Sequence, residues 1–296
     1  MGPARPAHWI APVLAAPLLS AWLLGAGAQQ DIQCGIVTVN AGGREGLLYV
    51  PPAVCYGIEP KALVIAAHGF GKNAWLEVEK WAPVAEEANV VVLAPVGYRR
   101  SFNVGVCCGE AQETEQDDIG MVEMLAAEAL RLVFPVVDFG KVVMTGFSNG
   151  GALASLMVMN GTRRPVAISP IATFISSYRP PETVPPTSVW IHHGTMDAVV
   201  PHTGCCEESP CCCNIPNSTQ CLGVAHHFQY WMTANRCDSM VATPFPHVPE
   251  SECYMGVLCA KETRLCLYHG LDHEDLSRAL PLAAENLAML LRATGN

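Results

Sequence analysis

Gly146-Phe147-Ser148-Asn149-Gly150 joins two segments that prefer opposite backbone geometries, and that junction limits the folds open to this chain. Before it, Lys141-Val142-Val143-Met144-Thr145 is a short, β-branched, mostly apolar run that predicts a buried strand. After it, Ala152-Leu153-Ala154-Ser155-Leu156-Met157-Val158-Met159 predicts a helix. A strand that turns into a helix within a few residues needs glycines where Cβ atoms would clash. The five residues alone also describe an ordinary Gly/Ser turn. The strand–turn–helix context is what makes the serine informative, because such a turn holds its hydroxyl exposed at a sheet edge.

The same alternation extends along the chain. Residues 63–67, 90–94, 166–168, 188–192 and 264–268 read as further strands, and 74–88, 118–133, 224–236 and 276–293 as helices. Strands that alternate with helices imply a largely parallel sheet covered on both faces. The fold class expected is α/β, with a mostly parallel sheet and helices on both faces, and the Gly-x-Ser-x-Gly turn between strand and helix makes it an α/β-hydrolase fold.

Residues 1–28 read as a secretory signal peptide: Arg5 is a short basic start, Trp9 to Leu24 is apolar apart from Ser20, and Ala26-Gly27-Ala28 offers a cleavage site. Pro12 and Pro17 oppose a continuous membrane-spanning helix, with an uncleaved anchor as the alternative. Removing 28 of the 296 residues leaves 268, enough for one large catalytic domain over 29–296. The net charge of −10 opposes binding to nucleic-acid phosphates.

All 14 cysteines follow the signal, which implies an oxidising compartment and a disulfide framework whose connectivity the spacing leaves open. Six of them (205, 206, 211, 212, 213 and 221) lie in a cysteine-rich insertion near 205–221. Disulfides are the expectation there; thiolate metal binding is the alternative, but the spacing fits no common zinc pattern. Asn160-Gly161-Thr162 and Asn217-Ser218-Thr219 are glycosylation sequons.

A serine nucleophile needs a base to take its proton and an acid to orient that base, and in α/β hydrolases these follow it as Asp or Glu, then His. Asp197 lies just beyond the strand at 188–192, where parallel sheets place their sites. His273 lies between the last strand and the last helix, on a segment expected to be a loop; His269 competes with it but sits closer to the strand. His226 and His227, on a presumed helix, read as surface or packing residues. His68-Gly69-Phe70-Gly71 follows the strand at 63–67, so the main-chain N–H groups of Phe70 and Asn149 are the candidate oxyanion donors.

His68-Gly69, Cys107-Cys108-Gly109-Glu110-Ala111, Asp117-Asp118, Gly146-Phe147-Ser148-Asn149-Gly150-Gly151, His193-Gly194-Thr195-x-Asp197 and His273 occur in that order. Together they resemble the polyhydroxybutyrate depolymerase and feruloyl esterase-like group of secreted α/β hydrolases, over roughly residues 45–290. The resemblance implies a Ser148–Asp197–His273 triad and a serine ester hydrolase, with release of ferulic-type acids from cell-wall polysaccharide as the leading activity and polyester cleavage as the alternative. The 205–221 segment departs from the pattern as an insertion. A peptidase is the rival with the same chemistry, and a catalytically inactive secreted binding protein on the same scaffold is the rival from another class. The expected partner is an ester substrate, small or polymeric, with no nucleic acid, no stable membrane insertion, no cofactor and no metal.

The cysteine-rich insertion yields the first prediction. Non-reducing peptide mapping of the exported protein should find Cys205, Cys206, Cys211, Cys212, Cys213 and Cys221 in disulfide-linked peptides. Free thiols at most of them, with stoichiometric zinc, would overturn the disulfide reading.

Overall fold

Short apolar runs set the centre of the fold, since a strand buried on both faces carries apolar residues on both. The computed structural model describes residues 1–2, 33–175, 180–204, 222–243, 251–278 and 280–295. The proposed signal segment and the 205–221 insertion therefore fall outside the described residues, apart from residues 1–2. The chain divides into Met1–Gln30 and Asp31–Asn296, and the sheet belongs to the second unit.

In chain order the elements are β1 (Gly35–Ala41), β2 (Arg44–Val50), α1 (Pro52–Cys55), β3 (Leu63–Ala67), α2 (Ala74–Ala88), β4 (Val91–Pro95), α3 (Gly109–Glu113), α4 (Asp118–Val133) and β5 (Val142–Phe147). There follow α5 (Asn149–Asn160), β6 (Ala167–Ile171), β7 (Ser188–Gly194), α6 (Val224–Ala234), β8 (Ser239–Thr243), β9 (Ser251–Val257), β10 (Thr263–Tyr268), α7 (His273–Arg278) and α8 (Leu280–Ala293). The sheet order is β1-β2-β4-β3-β5-β6-β7-β10-β9-β8. The six strands from β4 to β10 are parallel, and an antiparallel hairpin flanks them at each edge.

The sequence reading located the six parallel strands and missed both hairpins. It also placed His273 in a loop, whereas His273 is the first residue of α7, and the single terminal helix expected at 276–293 is two, α7 and α8.

Alternate residues of β3 feed two cores. Leu63, Ile65 and Ala67 pack with α4, α5 and α6, while Val64 and Ala66 pack with α2 and α8. Trp81 of α2 and Trp231 of α6 are fully buried on opposite faces. Such side chains each contribute on the order of 2–3 kcal/mol by leaving water.

Four disulfides lie within the described residues: Cys34–Cys55, Cys107–Cys108, Cys237–Cys259 and Cys253–Cys266. The last joins directly paired residues of β9 and β10, and Cys237–Cys259 closes the same hairpin region from the end of α6. The Asp117-Asp118 pair serves structure. Asp117 caps α4 through the Gly120 N–H (2.8 Å), and buried Asp118 pairs with Arg44 (2.8 Å), tying the first hairpin to α4.

The chain leaves β3 to one side for β4, then crosses β3 to reach β5. Loops that diverge in this way open a crevice at the carboxyl ends of the strands. Three glycines let β3, β5 and α5 meet there. A Cβ on Gly146 would lie 2.2 Å from Gly150 O, one on Gly150 would lie 2.2 Å from Ala67 O, and one on Gly151 would lie 2.8 Å from Gly146 O.

Because the atoms in the way are backbone, Gly146→Ala should destabilise the protein by about 3 kcal/mol or more, or prevent folding. Gly105→Ala meets no neighbour and bears only its positive φ, so it should cost about 1–2 kcal/mol. Denaturant midpoints of the two variants check this. Equal losses would mean that the β5–α5 approach is less constrained than the distances indicate.

Candidate active site

Ser148 separates β5 from α5 at φ 53° and ψ −118°. A non-glycine residue in that region costs on the order of 1–3 kcal/mol and persists only when its surroundings enforce it. Here the Ser148 N–H donates to Ile171 O at the end of β6 (2.8 Å), and the Ser148 C=O accepts from the Ala152 N–H inside α5 (3.1 Å). The side chain of Asn149 grips Phe102 like a neighbouring strand: Nδ2 donates to Phe102 O (2.9 Å) and Oδ1 accepts from Phe102 N–H (2.8 Å). The elbow is thereby fixed to the 101–108 segment.

Asp197 and His273 come from the neighbouring strand ends. Asp197 follows β7, His273 follows β10, and β7 and β10 pair in parallel. His273 Nδ1–H donates to Asp197 Oδ2 at 2.7 Å, with both side chains nearly buried. That bond leaves the lone pair of a neutral His273 on Nε2. The Phe147 ring, one residue before Ser148, lies 4.7 Å from the His273 ring.

Asp197 Oδ1 accepts from the N–H groups of Val199 (2.9 Å) and Val200 (2.7 Å). Burial pushes the carboxyl upward, but the N–H donors of His193, His273 and Val200 more than offset it and hold the group well below the usual Asp range. Asp197 is thus kept in its ionised form toward acid pH.

The segment after β3 packs over the elbow. A Cβ on Gly69 would lie 2.8 Å from the Phe147 ring and 3.4 Å from Ser148 Cβ. His68 Nδ1–H donates to Gly69 O (2.8 Å), and Nε2 accepts from Gly97 N–H (3.1 Å). A carbonyl only accepts and an amide only donates, so this ring is neutral, as burial also favours. Gly71 N–H donates to Arg100 O (2.8 Å), and Lys72 pairs with Glu274 of α7 (2.7 Å), the residue after His273. The N–H groups of Phe70 and Asn149 have no acceptor among the described residues. The latter lies at the positive end of α5.

The remaining histidines separate from this group. His269 is half-exposed and faces Glu252 at 3.6 Å. His226 is exposed, whereas His227 is buried against Ser155 Oγ (3.5 Å). His192 is buried with Nδ1 2.7 Å from the Tyr268 hydroxyl. Burial pushes both His192 and His227 down to about 3. Among the described residues no group of three or more His, Cys, Asp or Glu is arranged to hold a metal ion.

The sequence reading quoted His193 within the His193-Gly194-Thr195-x-Asp197 motif but gave it no part in the site; its Nε2 lies 3.4 Å from Asp197 Oδ2. Its spacing of four residues before the aspartate was visible. The turn that folds it back was not. The side-chain role of Asn149 was also missed, since it depends on a segment 47 residues away.

No protein-family model matches this sequence, and no curated protein matches it either. Solved structures do resemble the fold. An acetyl xylan esterase from Aspergillus awamori superposes with a TM-score of 0.59 at 12% identity, covering 88% of this chain and 99% of that one. Poly(aspartic acid) hydrolase-1 from Sphingomonas sp. KT-1 gives 0.55 at 16% identity, covering 86% and 98%. TT1662 from Thermus thermophilus gives 0.53 at 17%, covering 89% and 99%. At such identities the likeness speaks to architecture alone. The mostly parallel sheet, the helices on both faces and these neighbours establish that the chain has an α/β-hydrolase fold.

Proposed function

We propose that this protein is a secreted serine carboxylic-ester hydrolase. The observation that carries the reading is the 2.7 Å bond from His273 Nδ1 to buried Asp197, at the sheet edge where Ser148 occupies a strained strand-to-helix turn. Ser148 Oγ attacks the ester carbonyl carbon as its proton passes to His273 Nε2. The alcohol leaves with that proton, and a water activated by the same nitrogen then splits the acyl-enzyme and frees the acid and Ser148. Asp197 fixes the ring tautomer and stabilises the imidazolium. The N–H groups of Phe70 and Asn149 receive the oxyanion, a role supported by their lack of acceptors and by the α5 dipole.

The preferred substrate class is an ester with an aromatic acyl group, of the ferulic type, attached to polysaccharide. Exposed apolar side chains on the site-bearing loops (Phe70, Met196 and Val199) support an apolar acyl group. The motif resemblance supports the ferulic assignment, and the name of the acetyl xylan esterase neighbour is in keeping with an ester of polysaccharide. Polyhydroxyalkanoate cleavage is the alternative, and the poly(aspartic acid) hydrolase neighbour makes amide substrates a comparison worth running. Export is supported by the apolar N-terminal segment and by four disulfides, and no described helix is long and apolar enough to cross a membrane.

Purified protein should hydrolyse methyl ferulate and p-nitrophenyl acetate faster than a short hydroxybutyrate oligomer or a peptide. Ser148→Ala should lose about 10⁴-fold or more in kcat with the fold retained. Wild-type turnover in that variant would remove Ser148 from its role, and failure of a fluorophosphonate probe to label Ser148 would favour a binding protein.

Activity should decline toward acid pH as the base takes up a proton, with Asp197 still ionised because its carboxyl is held below the ordinary value. His273→Ala should abolish turnover at every pH, whereas His269→Ala, on the Glu252 side, should leave most of it. The reverse ranking would make His269 the base.

A further inference from the structure

We propose that His193 is a positioning residue for the Asp197–His273 pair, holding the carboxylate in register through its Nε2–H. The inference rests on reading Asp197 and His273 as the acid and base of the site.

His193 is the penultimate residue of β7 and is 1% exposed, so its imidazole has no access to bulk water. Its Nε2 lies 2.7 Å from Val200 O and 3.4 Å from Asp197 Oδ2. Both partners only accept, so the ring proton sits on Nε2 and is shared between them, the shorter bond going to the carbonyl. The other nitrogen, Nδ1, is buried with no partner among the described residues. The contacts of the ring therefore run through the Nε2 proton alone.

The contacts close a ring. Val200 donates its N–H to Asp197 Oδ1, His193 donates to Val200 O, and the same His193 proton approaches Asp197 Oδ2. The turn after β7 is therefore drawn back onto the strand that precedes it, and the carboxylate is held from both oxygens. Its Oδ2 then presents a fixed edge to His273 Nδ1 at 2.7 Å. Oδ1 is satisfied by the backbone alone; Oδ2 depends on side chains. Without His193, Oδ2 would be held by His273 itself and only indirectly by the backbone bonds to Oδ1.

Other charged or titratable groups bear on this pair. His202 on the following turn interacts with both His193 and Asp197, and His227 of α6 interacts with His193 but is held neutral by burial. Glu274 interacts with His273 while paired to Lys72. None of them supplies a donor to Asp197 Oδ2.

His193→Phe keeps the ring volume and removes the donor; His193→Gln keeps an N–H at a similar reach; His193→Asn is polar but too short and replaces the Phe variant if that one does not fold. Histidine-labelled NMR titration reads His273 directly, whether or not a substrate is turned over. The donorless variant should titrate His273 at lower pH than wild type, because a displaced carboxylate stabilises the imidazolium less, and kcat should fall about 10- to 100-fold with little change in KM. His193→Gln should restore both. An unchanged His273 titration in the donorless variant overturns the proposal, and so does failure of His193→Gln to restore it. If wild-type protein hydrolyses none of the substrates while the titration behaves as described, the ester-hydrolase reading falls and the positioning role stands.

Discussion

A backbone turn that an L-residue adopts only under constraint governs the arrangement of the whole carboxyl edge. Ser148 is held at positive φ because β5 must hand over to α5 at once, and three glycines admit the close approach of carbonyl oxygens from β3, β5 and α5. The strain is countered from several directions: the end of β6 binds the Ser148 N–H, and Asn149 clamps the Phe102 backbone. Relaxation of any one bond leaves the others in place. The serine position is thus set by packing of the central strands rather than by the loop itself.

Around that fixed point, the polar groups are divided by whether they have alternatives. His68 spends both ring nitrogens on backbone groups and braces the segment carrying Phe70. Asp197 gathers donors from two backbone amides and two imidazoles. His273 uses Nδ1 for Asp197, the nitrogen opposite the one that the proposed reaction employs. A buried carboxylate satisfied in this manner keeps its charge without a neighbouring Lys or Arg, so no mobile cation competes with the imidazole for it.

The parallel centre of the sheet was legible because strands buried on both faces read as unbroken apolar runs such as Leu63–Ala67 and Val91–Leu93. The edge strands escaped for the opposite reason. β8 (Ser239–Thr243) is almost wholly exposed and β1 is half-exposed, so neither needs a strong hydrophobic signal, and pairing with a hairpin partner supplies their order. His273 was recognised by its place after the last strand, but its helical start depends on the packing of α7 against β7 and on Asp272 bonding the Asp275 N–H (2.8 Å). Long-range polar partnerships, Arg44 with Asp118 or Asn149 with Phe102, leave no local pattern and appear only once the fold brings them together.

His192 and His227 are packed in the interior as neutral rings, pushed down to about 3, and neither belongs to the Asp197–His273 pair. In the unfolded chain each would titrate near the ordinary histidine value of about 6.5. Between those limits the unfolded state binds more protons, so the folded state has its full advantage above about 6.5 and loses it as the medium becomes more acidic. Each ring therefore weakens the folded state progressively as the pH falls through that window. Unfolding in mild acid is consequently a proton-consuming reaction at two interior rings that stand apart from the Asp197–His273 pair.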